Sequence, residues 1–74
     1  MSLDPVLPVF FDEAEELLRV FEEGVLELEA TPHDREVLDS IFRVAHTLKG
    51  SSRMLGFERI ATLAQALEAL LARL

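Results

Sequence analysis

Seventy-four residues make one small domain, near the size at which a single hydrophobic core is only marginally sufficient. The absence of cysteine excludes disulfides and thiolate metal sites, and no apolar run approaches the ~20 residues of a membrane-spanning helix, so a cytoplasmic protein is expected. The net charge of −7 argues against nucleic-acid binding, which needs clustered Lys and Arg to neutralise phosphates.

Met1-Ser2-Leu3 reads as a start codon plus cloning scar. Asp4 to Pro8 reads as an extended lead-in, because Pro5 and Pro8 bias the preceding residues away from helix. The spacing predicts a first helix over about 8–29, with Phe10, Ala14, Leu17, Leu18, Phe21, Val25 and Leu28 recurring every three or four residues. Acidic residues fill the opposite side, which reads as a solvated face. Gly24 weakens this helix by roughly 1 kcal/mol relative to alanine and is expected to mark close approach of a neighbour.

Thr31-Pro32-His33-Asp34 carries a start signal: Thr31 as cap, Pro32 at the first helical position, Asp34 in the first turn. A second helix is predicted over about 32–55, with Val37, Leu38, Ile41, Phe42, Val44, Ala45, Leu48 and Ser52 facing inward. At about 100° per residue, His46 falls roughly 130° from the centre of that arc, beside Phe42, Lys49 and Arg53. Its ring should therefore be exposed or at the rim, with the Lys49 side chain facing solvent. His33, in a connecting turn, reads as an ordinary surface residue.

Gly56 is the expected terminator of the second helix, and a third follows over about 58–74 with Ile60, Leu63, Ala64, Leu67, Leu70, Leu71 and Leu74 on its buried stripe. The short connection makes helices two and three an antiparallel hairpin. Reflection about Gly56-Phe57 brings Gln65 and Glu68 level with His46 and Lys49.

Charge is unevenly distributed: residues 1–30 hold nine acids and one base, Arg19, whereas residues 31–74 hold five acids and six bases. Arg43, Lys49 and Arg53 thus surround His46 with positive charge, an easier setting for a group that acquires negative charge. Neutral imidazole is a competent nucleophile near neutral pH. A carboxylate such as Glu68, accepting from one ring nitrogen, would fix the tautomer and leave the other lone pair facing solvent. Lys49, three residues on, can lean toward whatever the ring carries, and Gly50 leaves an approach free of side chain. No glycine-rich phosphate loop and no evident acidic metal cage accompany the histidine, so for phosphoryl chemistry the positioning and charge neutralisation must come from another protein or domain. One histidine and one carboxylate do not make a metal site, and no cofactor is expected.

The run Ala45-His46-Thr47-Leu48-Lys49-Gly50-Ser51-Ser52, continued by Arg53-Met54-Leu55-Gly56-Phe57, resembles the phosphorylation-site helix of histidine phosphotransfer (HPt) domains, most closely the N-terminal domain of CheA-type chemotaxis histidine kinases. The resemblance covers about residues 8–74 and is sharpest over 41–68. It implies an all-α antiparallel helical bundle and a phosphoryl carrier in two-component signalling. His46 would accept phosphoryl from a kinase ATP-binding domain and pass it to an aspartate of a response-regulator receiver. It further implies that Lys49 helps to hold the phosphoryl group, that Gly50 keeps the surface open, and that Glu68 hydrogen-bonds the imidazole. The intact parent would be a histidine protein kinase, with this piece its internal substrate.

Two departures stand out. Gln65 occupies a position where the family often has a second histidine, and it cannot titrate. The family core is a four-helix bundle, whereas three helices are predicted here, which leaves an apolar groove and predicts a homodimer that covers it. The alternative reading is a helical interaction or dimerisation module that kept the scaffold without the chemistry. Joint retention of His46, Lys49, Gly50 and Glu68 favours the carrier.

Overall fold

The computed structural model describes residues 5–74 and contains three helices: α1 (Leu7–Ala30), α2 (Arg35–Met54) and α3 (Glu58–Ala72). There is no strand among the described residues. The all-α architecture expected from the periodicity is therefore present, and the chain-start reading of Met1-Ser2-Leu3, with Asp4 of the expected lead-in, lies outside the described residues.

Helix boundaries shift from the expected ones for identifiable reasons. Pro5 and Val6 form a turn and the helix begins at Leu7, so the expected extended lead-in does not reach Pro8. Proline is tolerated there because the first-turn N–H it lacks has no intrahelical acceptor. The cap of α2 is Asp34, whose carboxylate accepts from the N–H groups of Glu36 and Val37 at 3.0 and 3.3 Å. Thr31 instead closes α1, its hydroxyl donating to the Glu27 carbonyl at 3.0 Å. Asp34 is the better N-cap because its carboxylate suits the positive end of the helix dipole.

The α2–α3 turn fixes the geometry of the site. Gly56 has φ +80°, the left-handed conformation glycine adopts without a Cβ penalty. The Phe57 N–H bonds to the Ser52 carbonyl at 2.8 Å and the Gly56 N–H to the Arg53 carbonyl at 3.1 Å. Together they form a Schellman closure that folds the chain back. The Phe57 ring then lies 5.2 Å from that of Phe10, which ties the turn to the start of α1.

Helix α2 is the middle element: α1 packs on it from one side and α3 from the other, while α1 and α3 do not pack on each other. Ile41, completely buried, sits at the centre with Val37, Leu38, Val44, Ala45 and Ser52. Close approach at Gly24 is real, since a Cβ there would overlap Cγ2 of Ile41.

The buried stripe of α3 differs from the expected one. Ala61 and Ala64 are buried, Leu67 and Leu71 half-buried, and Ile60, Leu63, Leu70 and Leu74 exposed. The small alanines let α3 approach α2 closely, and the large side chains turn to the side that none of the described elements covers. On α1, Leu18 and Val25 are likewise exposed, because only one edge of its apolar face meets α2.

Candidate functional site

The period of α2 carries His46 off the core, and the ring is 65% exposed. The tight turn at Gly56 sets the register of α3 so that Glu68 stands opposite it. Glu68 Oε2 lies 2.5 Å from His46 Nδ1, and its other oxygen, Oε1, accepts from Lys49 Nζ at 2.8 Å. One carboxylate thus bridges two side chains a helical turn apart on the neighbouring helix.

The electrostatics follow from that bridge. Hydrogen bonding from Lys49, then from His46, holds the Glu68 carboxyl below the usual carboxylate range. Glu68 is therefore ionised at neutral pH and can only accept hydrogen bonds. The imidazole proton consequently sits on Nδ1, and the lone pair of Nε2 is the one presented outward. A nucleophilic nitrogen, an orienting anion and a cation that keeps the anion charged are assembled by two helices and one turn.

Lys49 departs from expectation. Its side chain is only 17% exposed and its ammonium is engaged by Glu68, so it does not face solvent. A long cationic side chain can bury its aliphatic stem and still reach an anion, and Lys49 does so toward Glu68 of α3. In this state Lys49 acts on the ring through Glu68.

Gln65 is one turn nearer the α2–α3 turn than Glu68. Its Oε1 accepts from Arg53 Nη2 at 2.7 Å, so Gln65 and Arg53 form a second, separate link between α2 and α3. Arg43 and Gly50 are exposed on the same side of α2 as His46. Nothing lies within 4 Å of the position a Cβ would take on Gly50, so the glycine answers no packing demand inside the chain. A bond that sequence reasoning did not foresee joins Ser51 Oγ to Glu13 Oε1 at 3.1 Å and ties α1 to α2 beside Gly50. Its partners lie on different helices 38 residues apart in sequence, so no local spacing signals it. No group of three or more His, Cys, Asp or Glu able to hold a metal ion occurs among the described residues. No helix of the described residues is long and apolar enough to cross a membrane.

The fold is shared with a known protein domain and the sequence with a known family. The family model of the Hpt domain matches residues 5–74. The chain is 45% identical over 69 residues to the chemotaxis protein CheA of Halobacterium salinarum, covering 93% of this chain and 10% of that protein. It is 43% identical over 68 residues to CheA of Bacillus subtilis, covering 92% of this chain and 10% of that protein. The chain thus spans about a tenth of the length of the curated relatives it matches. The structure of the CheA phosphotransferase domain from Thermotoga maritima superposes with a TM-score of 0.93 at 40% identity, over 99% of this chain and 70% of that one. With an Hpt match over nearly the whole length and a three-helix fold that carries an oriented, solvent-facing imidazole, the chain belongs to the Hpt domain family.

Proposed function

We propose that His46 is the phosphoryl-carrying residue, charged at Nε2 by the ATP-binding domain of a CheA-type kinase and discharged to an aspartate of a response-regulator receiver. The observation that carries this reading is the Glu68 carboxylate shared between His46 Nδ1 and Lys49 Nζ.

In the first step the Nε2 lone pair attacks the γ-phosphorus of ATP. The P–N bond forms as the bond to the β,γ-bridging oxygen breaks, and ADP leaves with the electron pair. Because Nδ1 keeps its proton, the phosphorylated ring is cationic, and Glu68 stabilises that developing charge. In the second step an aspartate oxygen attacks phosphorus, the P–N bond breaks, and its electrons return to Nε2. No proton need enter or leave the ring in either direction. Lys49 holds Glu68 ionised for both steps, and Gly50 and the arginines at 43 and 53 border the approach. Such a carrier works where ATP and receiver proteins are found, in the cytoplasm.

Incubation of the chain with a CheA-type kinase core and radiolabelled ATP tests the first step. The expected result is acid-labile, base-stable label. An unlabelled chain, or label stable to acid, would overturn the assignment.

The exposed apolar residues support association with a second copy of the chain. Phe11, Leu18 and Val25 recur at seven-residue spacing on α1, and Leu63 and Leu70 do the same on α3. Such stripes suit helix-on-helix packing that completes a bundle. Analytical ultracentrifugation at micromolar concentration should show a dimer, and a monomer at those concentrations would eliminate the idea.

A further inference from the structure

The strip of α2 that carries His46 runs on through Gly50 to Arg53, in steps of four and three residues. Arg53 stands about 10 Å further along the axis than His46. Because Cα–Cβ bonds tilt toward the N-terminus of a helix, a side chain at 53 is directed back toward the ring. Arg53 is exposed, and its Nη2 donates to Gln65 Oε1 at 2.7 Å. That amide is neutral, so the link is a hydrogen bond without a charge pair, and the guanidinium keeps most of its N–H donors. Nothing lies within 4 Å of the place a Cβ would take on Gly50, so the lane between Arg53 and the ring is open. A cation in the last turn of α2 suits the helix dipole, but that accounts for a charge at 53 and not for its tie to Gln65.

We propose that Arg53 is a phosphoryl-binding residue: held on Gln65 while the ring is bare, it crosses Gly50 and grips the phosphoryl oxygens once Nε2 is charged. The proposal rests on the carrier reading of His46. A phosphoryl group brings roughly two negative charges at neutral pH. The charged side chains that border it are Arg43, Lys49 and Arg53 from α2 and Glu68 from α3, while Glu13 of α1 is engaged by Ser51. Lys49 is occupied by Glu68, whose negative charge balances the cationic ring. Arg43 precedes the ring, and the tilt of its Cα–Cβ bond directs it away. Arg53 alone among these cations combines a direction toward the ring with a neutral partner that it can leave. A hydrogen bond from a cation to an anion is roughly twice as strong as one between neutral groups, and a guanidinium fork can take two phosphoryl oxygens at once. Charging therefore draws Arg53 off Gln65, and discharge returns it.

The test charges the chain with phosphoramidate, which needs no partner domain, and follows the product by phosphorus NMR. The phosphoryl group titrates near ~6, and a cation beside it lowers that value. Arg53→Ala should raise the midpoint by about half a pH unit, the scale of an exposed ion pair. The same loss should lower the ratio of charged to uncharged chain about threefold when a kinase core sets the balance at fixed ATP and ADP. Gln65→Ala should move both readings in the opposite direction, because it frees the guanidinium without removing it. A bridge that only ties α2 to α3 would make the two replacements act alike. Arg35→Ala removes the same charge from the exposed start of α2 and should change neither reading. Unmoved midpoints in both variants, or shifts of the same sign, overturn the proposal and leave the carrier reading standing. A chain that phosphoramidate leaves without a phosphohistidine signal would refute the carrier reading itself, and the role of Arg53 with it.

Discussion

His46→Gln abolishes label uptake from ATP, with at least a thousandfold loss that no other single replacement at the site should match. Glutamine keeps hydrogen-bonding capacity near Glu68 but offers no nucleophilic nitrogen, so the P–N bond cannot form. The ring is 65% exposed, and exchanges at such positions change stability by only about 0.5 kcal/mol. The melting temperature should therefore shift by no more than about 2–4 °C, which separates lost chemistry from lost fold. Glu68→Gln probes the orienting role and should cost roughly ten- to a hundredfold in labelling rate, by analogy with the loss when the hydrogen-bond partner of a metal-ligating histidine is removed. A neutral amide accepts from Nδ1 less strongly and no longer balances the cationic ring. Lys49, deprived of its anion, also loses its fixed position.

The same carboxylate gives a pH dependence whose sign is determined. Lys49 and His46 lower the Glu68 pKa in the folded state, so the folded protein favours the charged form. Its contribution to stability is fully present above the unfolded value of ~4.3 and is lost as pH falls through the lower folded value. The difference in melting temperature between the parent chain and Glu68→Gln should shrink as the pH falls below about 4.3, where the carboxylate is protonated. A difference that persisted undiminished in strongly acidic solution would contradict the bridge.

How much of this was legible in the sequence depends on what each inference required. The pairing of His46 with Glu68 needed only a tight turn and two regular helices, and Gly56 with φ +80° provides that turn. Gln65 was expected level with the imidazole as well; the link to Arg53 shows that one helical turn of offset is enough to give two neighbours separate partners. Lys49 was harder, because angular position places its Cβ near the rim while the long side chain is free to turn toward the neighbouring helix and its carboxylate. The stripe of α3 could not be chosen from hydropathy, since alanines and leucines form two adjacent apolar rows. Which row is buried depends on how closely α2 approaches, and Ala61 and Ala64 permit the closer packing. A cavity between Val9 and Met54 joins helix ends distant in sequence, and no periodicity links them.

Replacing two glycines by alanine should produce opposite results, and the contrast separates packing from access. In a helix, alanine is favoured over glycine by about 1 kcal/mol. At Gly50 nothing opposes that gain, since the added methyl meets open space. Gly50→Ala should raise the melting temperature by roughly 4–8 °C while slowing both phosphoryl transfers, because the methyl stands where a partner must close. At Gly24 the methyl overlaps Cγ2 of Ile41, the most deeply buried side chain of the core. Overpacking of this kind costs about 1–3 kcal/mol and sometimes more, enough to outweigh the propensity gain. Gly24→Leu, which drives a larger side chain into the same contact, should detach α1 from α2, because a chain of this size has only about 4–11 kcal/mol of stability in total. Circular dichroism melts and transfer rates measured together decide the matter. Stabilisation with slower transfer at residue 50, set against destabilisation at residue 24, is the expected pair. Destabilisation by Gly50→Ala would show that its open surface is a structural need of the helix, and the access role assigned to it would fall.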